Sequence, residues 1–269
     1  MDIIILIIMG LAMGVIGGML GIGGAVFLIP ALTFVFDENQ HLYQAAAMIC
    51  IFFVSGAALI AHRKAKAISK EVLLYLMPTA MAGILGGVAL SNSSFFEGDN
   101  DYILARIFGG FLVYVAFYNA LRLYRSVKQG RNLERDEPLT RPNAILASLC
   151  GLITGLTSGL LGIGAGTVAT PTQQFFLKRP LREAMSNSAA AIVSMAWLGA
   201  IYKNATLSQH GITITESLRI AVCIIPGAII GGYIGGRLMH TLPKNIVRAI
   251  FILVCAIAAV KLLTVAPST

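Results

Sequence analysis

Charge is what this sequence has least of. Of its 269 residues 12% are charged, against roughly 25% in soluble domains, while 57% are hydrophobic and the mean hydropathy is +0.81. That balance excludes an ordinary soluble domain and indicates a polytopic membrane protein. Cysteine is sparse too: Cys50, Cys150, Cys223 and Cys255 stand singly in apolar runs, with no CxxC and no nearby histidine. They read as buried structural thiols rather than metal or redox chemistry. No Asp or Glu lies deep in an apolar run, since Glu71, Glu183 and Glu216 fall near the ends. This argues against a carboxylate proton relay and against a cation permease, which needs buried acidic or His ligands. The chain has no HExxH, no GxSxG and no paired intramembrane carboxylates, so an enzyme is not expected. Nor is any cofactor or metal. His62, Arg219 and His240 fall near the expected interfaces, where snorkelling or lipid contact is the usual role.

Apolar stretches run at about Ile3 to Phe36, Leu42 to Ala61, Val72 to Leu90, Tyr102 to Leu121, Ala144 to Phe176, Glu183 to Tyr202, Ser217 to Met239 and Asn245 to Val265. Six are near the roughly 20 residues that cross a bilayer, but the first and fifth are much too long for one crossing. The first begins Met1-Asp2 without a basic n-region, so it is read as mature protein rather than a signal peptide. The net charge of +8 sits in the connections, where membrane orientation accounts for it. Nucleic acid is not expected as a partner; the lipid bilayer is.

A glycine-rich phrase occurs twice, 141 positions apart. Gly10-Leu11, Gly14, Gly18, Leu20-Gly21-Ile22-Gly23 and Pro30 recur as Gly151-Leu152, Gly155, Gly159, Leu161-Gly162-Ile163-Gly164 and Pro171, so that nine of the 21 positions from 10 to 30 match. Pro78, Gly83, Gly87 and Leu90 recur as Pro226, Gly231, Gly235 and Leu238, and Arg106 and Arg248 open the last span of each half. The chain is an internal duplication: repeat 1 over 1–124, a polar mixed-charge linker over 125–141, and repeat 2 over 142–269. Paired Gly- and Pro-interrupted apolar segments in two halves point to a transport site.

Sixteen of the 20 Lys and Arg fall into four clusters: Arg63 to Lys70, Arg122 to Arg141, Lys178 to Arg182 and Arg237 to Arg248. The positive-inside rule makes all four cytoplasmic, and puts outside Asp37 with Glu38, Glu97 to Asp101 and the stretch from Lys203 to Glu216. Residues 142–177 must then leave the cytoplasm and return to it. A helix of about 18 residues, a Gly turn and a helix of about 12 running back achieve this. Each half is thus a broken re-entrant helical hairpin plus three transmembrane helices, an odd number of crossings, which makes the all-α protein an inverted repeat. The competing count, with both long stretches as single spans, strands two basic clusters outside.

A helix that begins inside the bilayer exposes its first N–H groups and the positive end of its dipole. Helices starting near Ala25 and Gly166 would aim these at the membrane interior, and glycine lets backbone approach an anion closely. Gly10, Gly14, Gly18 and Gly151, Gly155, Gly159, at four-residue spacing, read instead as helix-packing positions. Gly21, Gly23, Gly24, Gly162, Gly164 and Gly166 are too dense for continuous helix and form turns, with or without ligand contact. Thr167 and Thr170 follow the second turn, and Ser186, Asn187 and Ser188 are the densest polar group inside a span. Their donors either complete an oxyanion's shell or join helices. The first half has Ala47, Met48 and Ile49 near the corresponding place, so the site is expected to be polar mainly on its second-half side.

At Gly14 to Pro30 and Gly155 to Pro171, with Pro78 and Pro226, the chain resembles the sulfite exporter TauE/SafE family, over essentially its whole length. The resemblance implies a bacterial or archaeal inner-membrane permease for sulfur-containing anions such as sulfite or sulfoacetate. It also implies a small-Thr-Ser step early in the span after each hairpin, which Ser186-Asn187-Ser188 matches in part and Ala47-Met48-Ile49 does not. The resulting expectation is export of a small sulfur-containing anion by alternating access. Its substrate-binding residues would be Gly21, Gly23, Gly24, Ala25, Gly162, Gly164, Gly166, Thr167, Ser186, Asn187 and Ser188. A passive anion channel and a permease for another small organic anion are the alternatives, and a homo-oligomer is compatible with either.

Overall fold

The computed structural model describes residues 3–36, 39–93, 101–128, 143–162, 164 and 166–264. It is built from helices: α1 (Ile3–Leu20), α2 (Ala25–Val35), α3 (Gln40–Lys64), α4 (Lys70–Ser91), α5 (Asp101–Lys128), α6 (Ala144–Leu161), α7 (Gly166–Phe176), α8 (Leu181–Ala205), α9 (Ile214–Thr241) and α10 (Lys244–Leu263). A short 3₁₀ turn, Leu207–His210, follows α8. Among the described residues, six helices (α1, α3, α4, α6, α8 and α9) are long and apolar enough to cross a membrane. Both overlong stretches break as the glycines require: α1 and α6 have 18 residues each, α2 and α7 only 11. Eleven residues of helix reach about 16 Å, half a hydrocarbon core. The helices α1, α2 and α3 recur as α6, α7 and α8 at an offset of 141 at both ends of each.

Local chemistry fixes several boundaries. The Asn39 side chain accepts from Leu42 N at 3.0 Å to start α3, and Asn143 accepts from Ile145 N at 3.0 Å to start α6. Thr213 and Glu216 form a capping box on α9, satisfying otherwise orphaned donors. Pro30 and Pro171 lie inside α2 and α7. Each withholds a hydrogen bond from the carbonyl four residues back, that of Val26 and that of Thr167.

Packing interlocks the halves. Helix α1 lies on α9 and α6 on α4; α3 lies on α9 and α8 on α4; α2 meets α10 and α7 meets α5; α3 with α8 and α5 with α10 close the set. Exchanging the first five helices for the last five leaves this pattern unchanged. The spaced glycines make the contacts, as their spacing indicates. A Cβ on Gly10, Gly14 or Gly18 would strike the backbone of Ile224, Ala228 or Gly232, and one on Gly227, Gly231 or Gly235 would strike Ile7, Leu11 or Val15. Gly151, Gly155 and Gly159 meet Leu76, Ala80 and Ile84 in the same way. Bilayers give helices no hydrophobic drive to associate, so this backbone-to-backbone approach is where dispersion attraction accumulates. Helices α3 and α8 form the centre, with 67% and 72% of their spans buried, the highest shares among the six.

Two ends result. At one, Lys66, Lys70 and Arg179 line a common cavity, and Arg182 Nη2 donates to Leu242 O at 3.1 Å. Three of the four basic clusters therefore share an end. At the other, Asn204 Nδ2 donates to Ala45 O at 3.4 Å and Asn92 Nδ2 to Thr206 Oγ1 at 2.7 Å, so α3 and α8 run antiparallel. Helix α5 continues to Lys128, four residues into the expected linker. The rest of that linker, with Arg131, Arg135 and Arg141, lies outside the described residues, as do Asp37, Glu38, Glu97, Asp99 and Ile163. Cys50, Cys150 and Cys255 are buried and Cys223 half-buried, all as free thiols.

Candidate functional site

The two Gly turns meet each other at mid-depth. Gly21 and Gly162 have φ of +64° and +67°, Gly23 and Gly164 have +77° and +74°, and Gly24 has +84°. These are left-handed conformations that cost other residues roughly 1–2 kcal/mol each, so glycine is required here and the turn geometry repeats at equivalent positions. A Cβ on Gly166 would overlap Gly21 O and Ile22 Cα, and one on Gly164 would sit 3.0 Å from Ile22 O. A Cβ on Gly23 would lie 3.0 Å from Ile51 Cβ, and one on Gly164 3.2 Å from Ile51 Cδ1. Ile51 stands in the middle of α3. Gly21 abuts Met185 of α8 and Gly162 abuts Gln44 of α3, positions again 141 apart. Helices α2 and α7 therefore begin side by side at the centre of the protein. The N-cap of α2 is Gly24, without a side-chain hydrogen bond, which leaves the first donors of that helix to something other than a cap.

Unpartnered polar groups surround the paired turns. Thr167, second residue of α7, is fully buried and its Oγ1 has no hydrogen-bond partner. Gln44 is fully buried against Gly162, and neither its amide nitrogen nor its oxygen has a partner. Ser55 Oγ, also buried and unpartnered, would lie 3.4 Å from a Cβ on Gly23. An unsatisfied polar group in a hydrocarbon environment costs several kcal/mol, and such groups call for water, an ion or a ligand. Gln44 lies at the second turn and Ser55 at the first, on the same helix α3, and Thr167 follows the second turn in α7, so each turn has an unpartnered polar group beside it.

Ser186, Asn187 and Ser188 are fully buried in α8, and bonds within α8 and to its neighbours account for their polar atoms in this conformation. Ser186 Oγ donates to Arg182 O at 2.8 Å. Asn187 Nδ2 donates to Gln173 Oε1 at 3.1 Å while its Oδ1 accepts from Ser69 N at 2.9 Å. Ser188 Oγ donates to Ala184 O at 2.7 Å and accepts from Gln173 Nε2 at 3.3 Å; Thr170 Oγ1 lies 3.2 Å from it. This network joins α7 to α8 and, through Ser69, to the start of α4. The structure thus brings together Gly21, Gly23, Gly24, Ala25, Gly162, Gly164, Gly166 and Thr167 at the turns, with the Ser-Asn-Ser group as the adjoining wall.

Four expectations need correction. The register of α3 on α8 makes Ala45, Ala46 and Ala47 the counterparts of Ser186, Asn187 and Ser188, rather than Ala47, Met48 and Ile49. The first half is not apolar at the site either, because it supplies Gln44 and Ser55. His62 does not snorkel: it is fully buried, with Nδ1 3.1 Å from His240 Nε2. Lys203, expected in an outer connection, is among the largest of the fully buried side chains, 1% exposed near the end of α8. Its Nζ lies 2.8 Å from His41 Nδ1 and donates to Ser91 Oγ at 2.7 Å and Asn92 Oδ1 at 3.0 Å. Lone polar residues in apolar runs carry no periodic signal. The offset of 141, which pairs Lys203 with His62 and His41 with Arg182, was the signal that could have found them.

Residues 6–262 match the model of the sulfite exporter TauE/SafE family. The probable membrane transporter protein MamO of Paramagnetospirillum magneticum is 27% identical over 98% of this chain and 45% of its own length, so the chain spans about half of that relative. A probable membrane transporter protein of Methanocaldococcus jannaschii is 28% identical over 84% of each chain. The probable membrane transporter protein YunE of Bacillus subtilis is 22% identical over 94% of this chain and 96% of its own. No solved structure matches. These relatives are named probable membrane transporter proteins, six helices among the described residues are long and apolar enough to cross a membrane, and with a family match across nearly the whole chain the protein belongs to the sulfite exporter TauE/SafE family.

Proposed function

We propose that this transporter carries a small sulfur-containing oxyanion, sulfite or an organosulfonate such as sulfoacetate, out of the cell across the inner (plasma) membrane. The observation that carries the reading is the meeting of two half-depth helix starts, α2 and α7, with the unpartnered Thr167 in α7, Gln44 beside the second turn and Ser55 beside the first. Converging backbone N–H groups, two positive dipole ends and neutral donors match a small anion without a buried lysine at the turns. The gathering of three basic clusters at one end supports an inverted repeat with that end cytoplasmic. An inside-negative potential contributes about 2.3 kcal/mol per charge per 100 mV to anion export, enough to drive outward flux uncoupled. Rocking of the interlocked bundles would open the site to each side in turn.

The test is uptake of labelled sulfite into proteoliposomes with sulfoacetate, sulfate and chloride as competitors. Saturable uptake, inhibited by a sulfonate and not by chloride, is expected. Absence of uptake for every anion would overturn the substrate class and leave only the family and the fold. Flux that never saturates would identify a channel instead of a carrier.

A further inference from the structure

The duplication places matched residues at both ends of the molecule. The offset of 141 pairs His62 with Lys203 and Arg182 with His41, and the offset of 148 between α4 and α9 pairs His240 with Asn92. One trio sits at the start of α3 and the other at its end, about 32 Å apart along that helix. At the first, the Lys203 ammonium engages His41, Ser91 and Asn92. At the second, His62 Nδ1 lies 3.1 Å from His240 Nε2, and Arg182, whose charge acts on His240, is tied through Nη2 to Leu242 O. Here two buried nitrogens have no hydrogen-bond partner: His62 Nε2 and Arg182 Nε. His62 itself is fully buried.

The chemistry of these open nitrogens selects the ligand. Arg182 Nε is a permanent donor. When His240 donates to His62 Nδ1, the hydrogen of His62 resides on Nε2, a second donor without an acceptor. Glu183, the neighbouring carboxylate, pairs with Arg179 at 3.4 Å. Helix α8 starts here with Pro180 at its N-cap and no side-chain cap, adding a positive dipole end. A polar cavity of about 400 Å³, lined by Lys66, Ser69, Lys70, Glu71, Arg179 and Glu183, opens at the same end, and Ala67 of its wall donates its N–H to the backbone carbonyl of His62 at 3.3 Å.

We propose that His62, His240 and Arg182 form a second oxyanion-binding station, separate from the central Gly turns, at the end where α3 and α9 stop and α8 begins. The ligand is a compact oxyanion, a sulfur oxyanion from solution or the phosphate of a lipid headgroup. For its part in transport the station rests on the anion reading above, feeding the central site from the cytoplasmic side.

The test uses the full chain, labelled with ¹⁵N-histidine, in phosphatidylcholine nanodiscs with and without phosphatidylglycerol. There are only four histidines, so His62→Gln and His240→Gln assign the resonances. Sulfate titration should shift His62 and His240 saturably while His41 stays fixed, and Arg182→Gln should weaken that titration at least about tenfold. Arg182→Lys, which keeps the charge but loses the fork, should weaken it less and guards against misfolding. A shift produced by phosphatidylglycerol alone and untouched by sulfate would assign the station to lipid. Unmoved His62 and His240 in both lipids, or equal titrations in wild type and Arg182→Gln, would overturn the proposal. Transport without any such shift sinks the station alone; the shift without any anion transport sinks the central reading alone.

Discussion

At the scale of single residues, the paired turns make two opposite demands. Gly164 has no room: its φ is +74° and an added Cβ lies 3.0 Å from Ile22 O. Gly164→Leu therefore incurs roughly 1–2 kcal/mol of backbone strain and about 1–3 kcal/mol of overpacking, below the 5–15 kcal/mol that typically holds a domain together. The variant should insert and fold yet lose transport; normal sulfite flux in a well-inserted Gly164→Leu would remove the turns from the site. Thr167 poses the converse case. Its buried hydroxyl has no partner, so Thr167→Val should leave thermal stability unchanged or slightly higher, because deleting an unsatisfied group costs nothing. If that hydroxyl binds the anion, apparent affinity for sulfite should fall about tenfold, the loss of roughly 1.5 kcal/mol, and Thr167→Ser should restore it. Unchanged affinity in Thr167→Val would release Thr167 from the site. The glycines were legible in sequence because their density is incompatible with helix. Gln44, Ser55 and Lys203 were not, because one polar residue in an apolar run has the same local pattern whether it faces a site, a neighbour or water.

At the scale of elements, length did most of the predicting. A hydrophobic run too long for one crossing and too short for two leaves a helix of about 18 residues and a return of about 12, and α1–α2 and α6–α7 are 18 and 11 residues long. What length does not contain is the partner. The four-residue glycine spacing announces close packing, yet only the fold shows α1 seated on α9 and α6 on α4, each hairpin held by the other half. That arrangement separates two kinds of glycine experimentally. A Cβ on Gly155 would overlap Ala80 O and lie 2.8 Å from Ile84 N, backbone that cannot yield without parting α6 from α4. Gly155→Leu should abolish monodisperse, folded protein, whereas Gly56→Leu on α3, where nothing lies within 4 Å of an added Cβ, should be tolerated. Size-exclusion profiles of the two variants decide this; a folded Gly155→Leu would show that the α4–α6 contact is dispensable. The difference between lost folding there and lost transport at Gly164 is the signature of a scaffold distinct from its site.

At the scale of the whole molecule, the halves exchange contacts symmetrically, and orientation in the membrane is the property that symmetry leaves open. Charge decides it. Lys66, Lys70 and Arg179 share one cavity, and Arg182 reaches the carbonyl of Leu242 beside the third basic cluster, so the positive-inside rule acts on one end as a unit. Lys178 and Lys66 are exposed at that end, and Ser208 is exposed in the turn after α8 at the other. With the buried Cys50, Cys150 and Cys255 and the half-buried Cys223 as background, single cysteines can be placed at each position. A membrane-impermeant thiol reagent added to intact cells should label Ser208→Cys and spare Lys178→Cys and Lys66→Cys, and all three should react in opened membranes. Labelling of Lys178→Cys from outside would overturn the inverted topology, and reversal of the full set would overturn the orientation. Reversal would keep the interlocked fold, turn the basic end outward, and make the His62, His240 and Arg182 cluster an external station instead of a cytoplasmic one.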